Sequence, residues 1–174
     1  MLCYYITIVL ISIFYYFSSN NNYVLNVCPY NDDYLEKYYK NYKNKHIGDS
    51  GIDIVTPYQI LLKPKTYTKV EYYTSFRLTK NNIPKSYYLY PRSFLSKYPL
   101  VYLNGVGIID AGFNGNLSSI IYNPNDYNIT FRKGTKFVQI CAEDLSEIIV
   151  KVNCDVKQYG TRGSNGFGST NYKN

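Results

Sequence analysis

From Gln59 to Val152 the chain is cut into short apolar or alternating runs, and none is long enough for a helical crossover. The runs are Gln59–Lys63, Thr66–Tyr72, Ser86–Tyr90, Leu117–Tyr122, Ile129–Phe131, Phe137–Ala142 and Ile148–Val152. Pro57, Pro64, Asn81-Asn82, Pro91, Asn114-Gly115, Pro124-Asn125-Asp126 and Lys133-Gly134 punctuate them. Parallel neighbours need connections of roughly a dozen residues or more, so short strands at close spacing argue for an antiparallel sandwich or barrel. Lys133-Gly134-Thr135 reads as a hairpin turn into a buried strand. Tyr34–Asn44, YLEKYYKNYKN, is the one plausible amphipathic helix. There is no internal repeat and no coiled-coil heptad.

At 174 residues the chain has length for one full core. Its start is different in kind: no charged side chain occurs in the first 31 residues, and Leu2 to Phe17 is almost wholly apolar. A membrane-spanning helix needs ~20 apolar residues and a signal peptide usually opens with positive charge. Three readings stand: an anchor or signal, a strand, or translation from upstream of the true start. The predicted division is therefore an apolar extension over 1–22, a β domain over 23–160 and a Gly/Ser-rich tail over 161–174. The β domain would sit in cytoplasm or nucleus, and on a membrane or secretory route only with a genuine extension.

The net charge of +7 comes from scattered lysines such as Lys37, Lys40, Lys43 and Lys45, which reads first as a solvated surface. No stable nucleic-acid binding is expected from it. Cys3, Cys28, Cys141 and Cys154 lack zinc-site spacing, and free thiols are the expected state. His46 is the only histidine, an expected turn residue, so a His-based metal site or Ser–His pair has little to draw on.

Five segments break the strand texture. GDSGID, Gly48 to Asp53, sets two acids in a glycine-rich turn, where they could hold a cation or its waters. YPRSFLSK, Tyr90 to Lys97, holds one of only four arginines, Arg92, beside Ser93. An Arg in Lys-biased sequence points to fork-like contacts with phosphate or carboxylate, or to a buried Arg–Asp pair. NGVGIIDAGFNGN, Asn104 to Asn116, places Asp110 among apolar residues and tight turns, far in sequence from any cation. A carboxylate buried there would be a better proton acceptor, although a turn acid is the plain alternative. RKGTKFVQI, Arg132 to Ile140, puts Gln139 between apolar neighbours, where it must find partners. RGSNGFGST, Arg162 to Thr170, combines free glycine amides, hydroxyls, a cation and a ring: a phosphate nest with a base-stacking Phe167, or a linker.

Taken in order, these segments resemble the five motifs of the trimeric dUTPases, over about Tyr23 to Thr170. The sequence looks most like the homologues of A/T-rich protozoa or large DNA viruses. The resemblance implies an all-β, jelly-roll-like antiparallel domain with one short helix, assembled as a homotrimer with shared active sites. It implies hydrolysis of dUTP to dUMP and pyrophosphate, which limits uracil in DNA and supplies dUMP for dTMP synthesis. Asp110 matches the general base that activates a water against the α-phosphorus. Asp53 matches the acid that holds Mg2+, the implied cofactor, through water. Arg92, Ser93 and Gln139 match phosphate contacts, and Asn104 and Gly107 the uracil pocket. Phe113 stands where the family usually has a Tyr against the deoxyribose, so discrimination against UTP is expected to survive. In the tail, Phe167 and Gly168 would cover uracil while Arg162, Ser164, Ser169 and Thr170 hold the γ-phosphate. Two alternatives stay open: a catalytically idle dUTPase-like binding or regulatory protein, and a relative of dCTP deaminase, which has a similar IDxGFxGN stretch.

Overall fold

The computed structural model describes residues 8, 9, 22–44, 46–155, 157, 159–164 and 166. The strands are β1 Tyr23–Pro29, β2 Gly51–Val55, β3 Ile60–Leu62, β4 Tyr67–Glu71, β5 Thr74–Lys80, β6 Ile83–Lys85, β7 Tyr87–Pro91, β8 Val101–Tyr102, β9 Gly107–Ile109, β10 Ser118–Tyr122, β11 Ile129–Phe131, β12 Lys136–Cys141 and β13 Ile148–Val152, with helix α1 at Asp33–Lys40. They form sheets ordered β13-β1-β5-β6, β4-β10-β8, β11-β3 and β2-β12-β7-β9. This is the antiparallel β architecture that the short, punctuated runs predict, jelly-roll-like as the resemblance implies. One pair departs from it: β1 lies parallel to β13, from Tyr23 opposite Ile148 to Val27 opposite Val152.

Alternation sets the layers. In β1, Tyr23, Leu25 and Val27 are buried while their neighbours are half-exposed. Ile52 and Ile54 of β2 and Val138 and Ile140 of β12 are fully buried in the same core. Helix α1 closes over it with Leu35 and Tyr39, one turn apart. Asp32 caps the helix by accepting from the Leu35 N–H at 2.9 Å. The helix stops at Lys40, short of the expected Asn44, because the Asn41 amide turns back to donate to the Lys37 carbonyl at 2.8 Å. That bond satisfies a last-turn acceptor and ends the ladder.

Two further expectations are corrected. Cys28 and Cys154 form a disulfide across 126 residues, with Cα atoms 4.7 Å apart, instead of remaining free thiols. The parallel register brings the end of β1 beside the end of β13, a proximity that Cys spacing in sequence does not carry. Cys141 is free and buried, and Cys3 lies outside the described residues. The Lys133–Thr135 turn is not a hairpin, because β11 pairs with β3 while β12 pairs with β2 and β7. It is a corner between sheets, with Gly134 at φ +85°. Among the described residues no helix is long and apolar enough to cross a membrane. Most of the apolar start lies outside the described residues.

Candidate functional site

Period two in β2 sends Ile52 and Ile54 to the core and turns Gly51 and Asp53 outward. Asp53 lies opposite Gln139 of β12, and Gln139 lies opposite Tyr90 of β7, so the three share a face. Arg92 follows two residues after Tyr90, anchored by its N–H donating to the Phe137 carbonyl at 2.8 Å. Lys136 joins the same face because the β12 register shifts between Lys136 and Val138. The result is a carboxylate between two cations. Asp53 Oδ1 is 2.7 Å from Arg92 Nε, and its Oδ2 is 2.9 Å from Lys136 Nζ. Only 16% of the Asp53 side chain is exposed, so these pairs are sheltered from solvent screening.

This cluster lines a cleft of about 1450 Å³ beneath α1. Lys37, Lys43, Arg92 and Lys136 against Asp49 and Asp53 leave the lining net positive, as an anionic ligand requires. Tyr42 accepts the Asp53 N–H at 3.2 Å, and Tyr38 donates to the Asp53 carbonyl at 3.4 Å. Burial pushes the Tyr42 phenol up to about 12 and raises Tyr38 further, so both stay protonated at neutral pH. Gly51 leaves room for Gln139, since a Cβ at that position would displace the Gln139 amide from its present rotamer.

Asp110 lies elsewhere, in a second cleft of about 320 Å³ with Asn104, Gly107, Phe113, Arg162 and Gly166 among its lining. It follows the edge strand β9 and begins a turn in which the Phe113 N–H donates to the Asp110 carbonyl at 2.9 Å. The tail returns over this turn: Phe113 bridges to Gly163, and the Asn114 N–H donates to the Gly163 carbonyl at 3.1 Å. Arg162 Nε stands 3.1 Å from Asp110 Oδ2, an ion pair without hydrogen-bond alignment. Burial of Asp110, expected from its apolar neighbours, is corrected: 54% of its side chain is exposed. Its neighbour Ile108 also projects outward, 70% exposed, and among the described residues no strand pairs with the outer side of β9.

The dUTPase family model matches residues 37–171. A deoxyuridine 5'-triphosphate nucleotidohydrolase from Clostridium tetani is 33% identical over 129 residues, covering 72% of this chain and 84% of its own. The chain belongs to the dUTPase family. The enzyme class that goes with the family is dUTP diphosphatase. The fowlpox virus enzyme of the same name is 29% identical, over 71% of this chain and 84% of its own. Among solved structures, a mutant dUTPase of Staphylococcus bacteriophage 80alpha with dUpNHpp matches with a TM-score of 0.53. It is 22% identical and covers 84% of this chain and 98% of that one. A phage phi11 dUTPase described for its coordination of a structural Mg(II) ion matches with a TM-score of 0.51 at 22% identity, over 68% of this chain and 88% of that one.

The dUTPase segments thus sort into two clefts. Asp53, Arg92 and Gln139 share the first; Asn104, Gly107, Asp110, Phe113 and Arg162 share the second. Ser93 is exposed at the start of a 3₁₀ turn, Ser93–Lys97, and lines neither cleft. The Asn104 side chain accepts the Ile120 N–H at 2.7 Å and so braces β10. Ser164 packs close to Gly115, while Phe167, Gly168, Ser169 and Thr170 lie outside the described residues. Sequence reasoning missed Lys136, because three residues from Gln139 is the wrong spacing for one face until the bulge corrects it. It also missed Tyr38 and Tyr42, whose four-residue spacing beside a helix was available as a signal.

Among the described residues no three His, Cys, Asp or Glu side chains gather as a metal site. Both Asp53 oxygens are taken by cations, which leaves neither free as an inner ligand for Mg2+.

Proposed function

We propose that the protein hydrolyses dUTP to dUMP and pyrophosphate, in active sites that neighbouring chains complete within a homotrimer. The observation that carries this reading is the separation of the two clefts, one cationic and one holding Asp110. Neither half alone can do the reaction: triphosphate needs the cations, and the attacking water needs a base. A neighbour's Asp110 cleft set against the Arg92 cleft supplies both. The exposed apolar side chains Val106 and Ile108, which line the cleft with Asp110, support burial of that edge against another chain.

In the assembled site Asp110 accepts a proton from water as that water attacks the α-phosphorus, and pyrophosphate leaves. Arg92 and Lys136 exchange part of their contact with Asp53 for phosphate oxygens, offsetting charge that develops on them. Gln139 donates its amide to the same chain of phosphates. Asn104 and the backbone around Gly107 border the uracil, and the Phe113 ring packs on the sugar. The tail closes as a lid and excludes water, with Arg162 released from Asp110 toward phosphate. Mg2+, when carried in with the substrate, supplies further neutralisation of phosphate charge. The division into an extension at 1–22, the β domain at 23–160 and the lid at 161–174 belongs to the same proposal.

The test compares pyrophosphate release from dUTP, UTP, dCTP and dTTP, with and without Mg2+. Release from dUTP alone is expected, and Asp110→Asn is expected to slow it at least ~10³-fold while the oligomer stays intact. Ammonia from dCTP, or wild-type turnover in Asp110→Asn, would overturn the assignment.

A further inference from the structure

β2 is the outer strand of its sheet, so its free side presents backbone groups that no strand pairs. At Asp53 those groups are taken by phenols. The N–H donates to Tyr42 at 3.2 Å, and the carbonyl accepts from Tyr38 at the longer distance of 3.4 Å. The two tyrosines are four residues apart, with rings edge to face at 5.8 Å. Lys136 Nζ, which holds Asp53 Oδ2, also lies 5.7 Å from the centre of the Tyr38 ring. Asp53 is thus fixed from two sides, by phenols on its backbone and by Arg92 and Lys136 on its carboxylate.

We propose that Tyr38 and Tyr42 are positioning residues of the anion cleft. Their hydroxyls lock the Asp53 backbone on the open edge of β2 and so fix the carboxylate that aims Arg92 and Lys136 at phosphate. This rests on the reading of that cleft as the triphosphate side of a dUTPase site. The physical need is preorganisation: two flexible cations bind a polyanion well only when their geometry is set beforehand. An edge strand frays more readily than a paired one, and a frayed Asp53 releases both cations at once. Without the Tyr42 oxygen the Asp53 N–H loses its acceptor in a part-buried site.

Tyr→Phe changes keep both rings and remove only the hydroxyls. In the full chain, Tyr42→Phe is expected to raise the KM for dUTP about tenfold with kcat within about twofold, and Tyr38→Phe about threefold. Calorimetry with inorganic pyrophosphate is expected to show the same loss in affinity without any catalytic step. Tyr39→Phe, a core change against Phe76 on another face of α1, is expected to move neither reading. A role through Asp53 also predicts that Tyr42→Phe costs little more once Asp53→Asn is present, whereas general loosening costs the same in both backgrounds.

Unchanged KM and pyrophosphate affinity in both tyrosine variants, or equal losses with and without Asp53→Asn, would overturn the clamp. A wild-type protein that binds pyrophosphate yet hydrolyses no dUTP would sink the enzymatic reading while the calorimetric comparison still decides the clamp. A wild-type protein that binds no pyrophosphate would overturn the clamp as well.

Discussion

Gly51 shows how one missing side chain shapes the phosphate cleft. Its outward side is filled by the Gln139 amide, which a Cβ would strike, and its φ is not in the left-handed region. Alanine at this position is therefore compatible with the strand backbone and incompatible only with the present Gln139 rotamer. Gly51→Ala is expected to fold normally, with stability equal to or about 0.5 kcal/mol above the parent, because the unfolded chain loses freedom. Its kcat/KM for dUTP is expected to fall roughly tenfold as Gln139 is displaced. The same change in a Gln139→Ala background is expected to have almost no effect, and additive losses in steady-state kinetics would show that Gly51 matters for some other reason. Asp53 is a second case at this scale. A carboxylate held by two cations is a poor inner ligand for a metal but a good template for those cations.

At the scale of elements, the disulfide stands where the tail leaves the body. Cys154 comes two residues after β13 and ties to the end of β1 at Cys28, so the segment that returns to Asp110 starts from a fixed point. The Asn153 N–H also donates to the Val27 carbonyl at 3.0 Å, which extends the parallel pairing to the bridge. A cross-link over 126 residues restricts the unfolded chain strongly, and its removal is expected to cost about 2–4 kcal/mol. Urea unfolding with and without reductant checks this; superimposable curves would mean that the bridge does not form in solution. Sequence alone carried β3, β4, β7, β10, β11, β12 and β13, and the motif order that names the family. It did not carry β1, β5, β6, β8 or β9. β5 reads TSFRLTK, a run with Arg77 in its middle, yet Arg77 is buried with an Nη1 donating to the Lys157 carbonyl. A strand whose polar side chains are satisfied by a distant segment has no local signature. The same reason hid the disulfide and the bulge that turns Lys136 into the site: each depends on what lies across the sheet.

Across the whole molecule the core is built from phenols to an unusual degree, with 23 tyrosines and no tryptophan in the chain. Tyr39, Tyr72 and Tyr87 are essentially inaccessible, and burial raises the pKa of each well above 10.0. Tyr72 shares its hydroxyl with Ser119 at 2.8 Å, a contact that partly offsets the rise, and Tyr87 donates to the Phe76 carbonyl at 3.2 Å, a bond that only the neutral phenol makes. The sign of the linkage follows. The folded state keeps protons that the unfolded state releases above pH 10, so this stability is complete below pH 10 and is lost as pH rises toward the folded pKa values. Each such group removes about 1.4 kcal/mol per pH unit in that window, and three together remove about 4 kcal/mol, a large share of a typical 5–15 kcal/mol. The protein is therefore expected to unfold cooperatively between about pH 10 and 12, with loss of far-ultraviolet circular dichroism coinciding with a step in tyrosinate absorbance. Replacing Tyr87 by Phe removes one titrating group but also the bond to Phe76, so it is expected to lower stability at pH 7 while making the alkaline slope shallower. A smooth rise in tyrosinate absorbance with intact dichroism through that range would mean that these phenols ionise inside the folded protein, and that the core is far more open to water than its packing implies.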